Sequence, residues 1–442
     1  MGKLTNKISL DYKSILTKFS HGIILNIFLK IKGAIYVPIL VNFLSKQEVG
    51  EISYVQAVVG LLSGLIFLNI PDSSNRIILS REDSKSQNLA INSFTNFSFL
   101  FGVFFLTIFI IITTIFQLLD LRIILIISTM LFAALINKLS KYVFQIFQNT
   151  KLLTIVTLIT EYTSLIIVCY VLYFELYNDI LTILYIYSFC IALSSIYLFY
   201  VLFKTYPFSK LINNGLIKKV LKISLFLFPA SYSMIIIQSS DFIIIENILG
   251  LKKLGEYSFS YALAGLVSGL SMAVTFFWYS TVVYADKKQI ERLIDNVLKI
   301  SFVALILITF LYFLFTDSLI KLINAEYINT KNLIMILIIG FFMGILNKIA
   351  EGIMYADGNE RQILLDSTFI ALLNLILNFL FIPKYGLKFA AFSTSLSFIL
   401  LYFFRILYLR KKYATTNAKF KLIYSISILF FSLTTIFYYL WI

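Results

Sequence analysis

The sequence predicts an all-α polytopic membrane protein built as two similar six-helix bundles that point the same way through the bilayer. Three observations carry this expectation. The 442-residue chain is 60% hydrophobic and only 13% charged, against roughly 25% charged residues in a soluble domain. Apolar stretches of the ~20 residues needed to span a bilayer recur along its whole length. One such stretch is written twice, as GEISYVQAVVGLLSGL from Gly50 and GEYSFSYALAGLVSGL from Gly255. Shared Leu or Ile would mean little in apolar text. Glycine, glutamate and serine in fixed register (Gly50/Gly255, Glu51/Glu256, Ser53/Ser258, Gly60/Gly265, Gly64/Gly269) indicate an internal repeat.

The elements follow in order. The first eighteen residues are polar and basic and lack a short apolar core, which predicts a cytoplasmic arm rather than a cleaved signal peptide. Spans are expected at 19–44, 51–70, 91–116, 122–144, 152–174 and 180–203, forming an N-terminal lobe over 1–203. The basic stretch 204–222 reads as a cytoplasmic linker. A C-terminal lobe over 223–409 holds spans at 223–249, 256–283, 300–323, 332–355, 363–382 and 390–409. Residues 410–442 add a basic loop and a further apolar segment, 421–442, which would make a thirteenth span.

Charge orients this array. Loops on the N-terminal side carry most of the lysine and arginine, including Lys204, Lys210, Lys218, Lys219 and Lys222 in one loop and Arg410, Lys411 and Lys412 in another. The opposite loops carry seven: Lys46, Arg122, Lys252, Lys253, Lys331, Lys384 and Lys388. The positive-inside rule then places the N-terminus in the cytoplasm. The two copies of the repeat are the second and eighth spans. Six spans is an even number, so the copies are parallel and related by an axis along the membrane normal. A second echo supports this: Asn137, Lys138 and Asn149 near span four recur as Asn347, Lys348 and Asn359 near span ten. Both copies of the repeat contain Gly-x-x-x-Gly, a spacing that lets helices approach closely.

Composition excludes several classes. The net charge of +15 sits in short loops between spans, so topology explains it and nucleic acid is not expected. Cys169 and Cys190 both lie in apolar segments, and His21 is the only histidine, so neither a disulfide framework nor a histidine-rich metal site is expected. No phosphate-binding Gly-x-x-x-x-Gly-Lys-Ser/Thr loop, His-Glu-x-x-His or Cys-x-x-Cys motif occurs. No cofactor or metal is therefore expected. The outer loops are too short to house the chemistry of a membrane glycosyltransferase or polysaccharide polymerase, so an enzyme is disfavoured.

The stretch NLILNFLFIPKYGLKFAAFST, Asn374 to Thr394, resembles a motif around span eleven and its outer turn in the polysaccharide-transporter branch of the multidrug/oligosaccharidyl-lipid/polysaccharide (MOP) exporter superfamily. That branch includes Wzx-type O-antigen flippases. The Leu249–Ser258 run resembles the same family's entry into span eight, and Arg76 in NIPDSSNRII sits where the family commonly has an arginine. Lys388 and Phe389 depart from the small residues often found before Ala390 and Ala391.

The resemblance implies a MATE-like, two-lobed fold in the bacterial inner membrane. It also implies movement of a polyprenyl-pyrophosphate-linked oligosaccharide, of the undecaprenyl type, from the inner to the outer leaflet for O-antigen, lipopolysaccharide or capsule synthesis. Alternating access around a cationic cavity would hide sugar and pyrophosphate while the lipid tail stays in the bilayer. A polysaccharide polymerase and a chain-length regulator are the implied partners. The rival readings are a lipid II flippase and a cation-coupled drug exporter of the same superfamily.

Charges inside the spans are the candidate functional residues. A charged side chain at mid-bilayer costs at least ~2.5–3.5 kcal/mol, so a cavity or a partner is expected for each. Lys30 and Lys32 lie near the middle of span one and, with Arg76, are the candidates for pyrophosphate binding. Two positions apart means about 200° of rotation, so Lys30 and Lys32 face different ways. Asp241, Glu246 and Glu161 are the candidates for ion coupling or for pairing the lobes. Lys138 with Lys141, and Lys348 with Glu351, are three residues apart and share helix faces. They read either as a quasi-symmetric cytoplasmic gate or as side chains snorkelling to headgroups.

Overall fold

The computed structural model describes residues 28, 32–33, 35–79, 84–146, 150–177, 179–205, 212–268, 282, 287–412 and 418–441, and among them all regular structure is helical. The N-terminal arm, Lys30 and the second half of span eight lie outside the described residues. Span one contributes α1, residues 35–43. α2 (Lys46–Phe67) begins at a capping box in which the Glu48 backbone N–H donates to the Ser45 hydroxyl and the Ser45 N–H donates back to the Glu48 carboxylate at 2.8 Å. A left-handed turn at Leu68 and Asn69 ends α2, and the chain resumes as the short α3 (Ile70–Leu79). The rest of the N-terminal lobe is α4 (Ser84–Ile115), α5 (Leu121–Ile146), α6 (Thr150–Tyr173) and α7 (Ile180–Thr205).

The C-terminal lobe repeats this plan with α8 (Asn214–Leu249), α9 (Leu251–Gly265), α10 (Lys287–Asn324), α11 (Lys331–Ala356), α12 (Glu360–Tyr385) and α13 (Leu387–Lys412). α14 (Ala418–Trp441) packs on the outside of this lobe against α10, α11 and α13. Eight helical stretches among the described residues are long and apolar enough to cross a membrane. One is the run Arg292–Ala356, which contains two helices, while Thr157–Tyr173 and Ile426–Trp441 are shorter apolar stretches.

Three helices start well before the apolar text that marks them. α4, α8 and α10 have 32, 36 and 38 residues, about 48–57 Å at 1.5 Å per residue, more than the ~30 Å hydrocarbon core. Their extensions are all on the lysine-rich face. Residues 214–222, expected as linker, form the first turns of α8. Asn213 caps them by accepting from the Leu216 N–H at 3.1 Å. Leu216, Ile217 and Val220 are buried, whereas Lys218, Lys219 and Lys222 are exposed. Hydropathy locates the lipid-embedded part of a helix, not its aqueous end.

The lobes meet where the sequence repeats. α2 and α9 cross so closely that a Cβ on Gly50 would stand 2.0 Å from the Leu251 carbonyl oxygen, and one on Gly255 1.9 Å from that of Lys46. Lys46/Leu251 and Gly50/Gly255 have the same 205-residue separation. The Ser53 and Ser258 hydroxyls, also 205 apart, hydrogen-bond at 2.5 Å. A residue touching its own counterpart marks the pseudo-two-fold axis. The Gly-x-x-x-Gly expectation holds in the first copy, where Gly60 lies against Ser239 and Gly64 packs tightly on Tyr232 and Ile235 of α8. In the second copy Gly265 has no neighbour within 4 Å among the described residues, and Gly269 lies outside them.

Candidate functional site

The duplicated stretch lines a partly open cavity. Residues of α1, α2, α8 and α9 surround a space of about 340 Å³ lined by the pairs Val37/Phe242, Ser53/Ser258, Gln56/Tyr261 and Ala57/Ala262, with Gln238 and Ser239. The paired positions keep the 205-residue offset, so the cavity straddles the axis relating the lobes. About 15 Å of helix separates Gln56 from the start of α2 and about 16 Å separates Gln238 from the end of α8. The cavity is therefore near mid-membrane, where transporters built from repeats place their substrates.

Its described lining carries no charged side chain, which differs from the cationic wall anticipated above. The reason lies on α1. Val37 faces the cavity and Gly33, one turn earlier, has open space where a side chain would stand. Lys32 is about 100° around the helix from Gly33 and turns into the N-terminal lobe instead. There its ammonium donates to the Glu161 carboxylate at 2.8 Å and to the Ser164 hydroxyl at 3.4 Å, and lies 5.6 Å from the Tyr187 ring centroid. The Tyr187 ring stacks on Tyr36 at 5.7 Å. Lys141 of α5 is within electrostatic reach of both Lys32 and Glu161. Span one and span five thus supply opposite charges that satisfy each other, with a second cation near.

The acidic candidate in the other lobe has different company. Asp241 of α8 is fully buried and accepts hydrogen bonds from the hydroxyls of Tyr257 in α9 and Thr394 in α13, the latter at 3.0 Å, and no cationic partner is found among the described residues. Glu246, nearer the end of α8, is half-buried and close to Tyr54 across the lobe boundary. Next to Thr394 runs a buried polar chain. The Ser393 hydroxyl donates to Asn378, the Asn378 amide to Asn374 at 3.2 Å, and the Asn374 amide to Ser397 at 3.1 Å. The Asn-x-x-x-Asn pattern of span eleven therefore joins α12 to α13. The turn between them needs φ +63° at Gly386, a conformation costly for residues with a Cβ.

Towards the lysine-rich end, the Glu351 carboxylate accepts from Lys348 at 3.1 Å and from the completely buried Arg405 at 3.2 Å. Arg405 also donates to the Asn347 carbonyl at 3.2 Å and the Ser367 hydroxyl at 3.1 Å. The matching pair on α5 diverges. Lys138 lies over the Phe67 ring at 4.5 Å, while Lys141 faces Lys32 and Glu161. Lys138 and Lys141 thus have different surroundings and do not repeat the pairing of Lys348 with Glu351. Arg76 is on α3, but its side chain lies outside the described residues.

At the opposite face the lobes are latched by Lys46, whose ammonium reaches Glu256 at 3.3 Å and the Glu326 carbonyl at 2.8 Å. Beside it, the Asn324 amide donates to the Val41 carbonyl at 2.7 Å. Asp179 in the α6–α7 turn is held below the usual carboxylate range by the Thr182 hydroxyl and N–H, with Arg122 at 2.9 Å adding to this.

Residues 15–279 match the family model for a polysaccharide biosynthesis protein. The chain belongs to that family. In this polysaccharide biosynthesis protein, residues 269–442 also match the model of the lipid II flippase MurJ. Its fold is similar to an inward-facing multidrug-resistance MATE transporter of the MOP superfamily, with TM-score 0.62, 12% identity, and coverage of 88% of this chain and 94% of that one. It is also similar to MurJ in an inward closed conformation, with TM-score 0.60, 15% identity, and coverage of 96% and 91%. No curated protein matches. The protein is thus a multi-pass membrane transporter of the MOP fold rather than an enzyme.

The sequence reading missed Gln56 and Gln238 as cavity residues, and Tyr187, Ser164, Tyr257 and Thr394 as partners of the charges. A signal for Gln56 was present: it is a position where the two copies of the repeat differ, glutamine against Tyr261.

Proposed function

We propose that this polysaccharide biosynthesis protein is a flippase. It carries a polyprenyl-pyrophosphate-linked oligosaccharide from the cytoplasmic to the outer leaflet of the bacterial inner membrane, for O-antigen or capsule assembly. The observation that carries this reading is the polar mid-membrane cavity on the axis between two related lobes. Rocking the lobes about that axis exposes the cavity to one side and then the other, while the isoprenoid tail stays in lipid.

Lys32 and Lys141 against the single carboxylate of Glu161 leave net positive charge for the pyrophosphate one helical face away, with Lys30 and Arg76 as further cations for it. Lys138 and the Lys348–Glu351 pair meet the anionic lipid at the cytoplasmic face, while Lys141, turned towards Lys32 and Glu161, adds its charge deeper in the lobe. Asp241, buried among hydroxyls, is the proton or sodium site that couples transport to a gradient.

The test is surface-polysaccharide export. Lys32→Ala, alone and with Lys30→Ala, abolishes export at normal protein level; full export by the double variant overturns the pyrophosphate role. In liposomes under an imposed ion gradient, Asp241→Asn removes the gradient dependence of flipping, and unchanged dependence rules out coupling there. The match of residues 269–442 to the MurJ model favours lipid II as the second substrate reading, and lipid II used as probe in the same liposomes distinguishes the two.

A further inference from the structure

The central cavity has chemistry of its own, distinct from the charges around it. Its two walls are related by the duplication yet differ in kind. Where the N-terminal lobe presents Val37 and Gln56, the C-terminal lobe presents Phe242 and Tyr261 at the same repeat positions. These two rings meet edge to face, with centroids 5.1 Å apart, and the Tyr261 hydroxyl donates to the Gln238 carbonyl at 3.2 Å, which fixes the ring. One wall is therefore a rigid aromatic surface; the Gln56 carboxamide faces it from the other lobe and that of Gln238 lies beside it on α8.

The carboxamides of Gln56 and Gln238 are exposed into this space, and among the described residues neither makes a hydrogen bond. Unused amides at mid-membrane imply a polar occupant, because backbone and side-chain polar groups at that depth are otherwise paired. No lysine, arginine, aspartate or glutamate lines the described wall. A charged occupant would find no counter-charge among these residues for the hydration it loses, which is disfavoured. The volume, about 340 Å³, is at the small end of the ~300–1,000 Å³ range of ligand pockets.

We propose that this cavity is a subsite for an uncharged sugar of the lipid-linked glycan, with the ring's C–H face on Tyr261 and Phe242 and its hydroxyls on Gln56 and Gln238. This rests on the flippase reading and narrows it. The pyrophosphate is held elsewhere, towards Lys32, and the protein selects against glycans that place a uronic acid in the cavity. A carboxamide both donates and accepts, so it matches neighbouring hydroxyls of either orientation. Tyr261 supplies apolar area with little loss of side-chain freedom.

The experiment uses the full chain in nanodiscs and three probes of equal lipid length: bare polyprenyl pyrophosphate, the same lipid carrying one N-acetylhexosamine, and the same lipid carrying one hexuronic acid. Each competes with a fluorescent polyprenyl pyrophosphate. The neutral glycolipid should bind about tenfold more tightly than the other two. Gln56→Ala and Gln238→Ala should each remove most of that advantage while leaving the bare lipid unchanged, and Gln56→Lys should turn the preference towards the uronic acid. Equal or tighter binding of the uronic acid by the unaltered protein overturns the neutral-sugar subsite. So does an equal loss for all three probes in both alanine variants. In either case the flippase reading stands. Failure of every pyrophosphate lipid to bind overturns both.

Discussion

At the scale of single residues, Lys32 inside the N-terminal lobe is satisfied by an opposite charge, whereas Asp241 inside the C-terminal lobe is held by hydroxyls. Lys32 and Glu161 are 9% and 21% exposed at their side chains, and each is the compensation for the other's burial. Removing one partner leaves an uncompensated charge. Removing both leaves only a polar gap. Lys32→Ala should therefore lower stability by ~1–3 kcal/mol, less than the ~3–5 kcal/mol of a fully buried broken pair because Glu161 keeps some solvent. The double variant Lys32→Ala with Glu161→Gln should recover most of that loss. Thermal unfolding of the four proteins of the cycle in one detergent measures the coupling, and additive losses would show that the pair is not formed. Arg405 is the more extreme case, with no exposure and three kinds of acceptor around it. The planar guanidinium fork is what lets one buried side chain serve several acceptors at once.

At the scale of elements, the contact between α2 and α9 is set by the absence of two side chains. A methyl group on Gly50 would be 2.0 Å from a backbone carbonyl that belongs to the other lobe. Backbone cannot move aside as a rotamer can. Gly50→Ala and Gly255→Ala should each separate the helices and weaken the lobe interface, by about the 1–3 kcal/mol typical of overpacking or more. Gly265→Ala, whose Cβ has no neighbour within 4 Å among the described residues, is the matched control and should be close to neutral. Protease sensitivity of the three variants in membranes reads the difference. Similar logic explains the turn at Gly386 and the asparagine ladder of α12: the family-like motif is a packing device whose last residue, Thr394, reaches Asp241.

At the scale of the whole molecule, the pseudo-two-fold axis passes between Ser53 and Ser258, which makes rocking directly testable. Their hydroxyls are 2.5 Å apart, so a cysteine at each position can form a disulfide with small adjustment. In a background lacking Cys169 and Cys190, Ser53→Cys with Ser258→Cys should cross-link on oxidation, stop transport, and recover on reduction. Undiminished transport by the oxidised protein would mean that these helices do not part during the cycle. The Lys46–Glu256 latch is on the same side of the cavity and should open in the same step.

The sequence by itself determined the class, the duplication and the parallel orientation of the lobes. Those properties are local or periodic: apolar length, loop charge, and the spacing of glycine and serine that recurs 205 positions later. Only the tertiary structure decided which way each charge turns. Lys32 and Asp241 are similarly deep in adjacent lobes, yet one meets Glu161 and the other meets Tyr257 and Thr394. Partners brought together across 129 or 153 residues leave no spacing in the sequence to read. That no charge occurs in the described lining of the cavity was hidden for the same reason. A lysine one residue from a cavity-facing glycine is about 100° away around the helix, and only the packing of neighbouring helices decides which face looks inward.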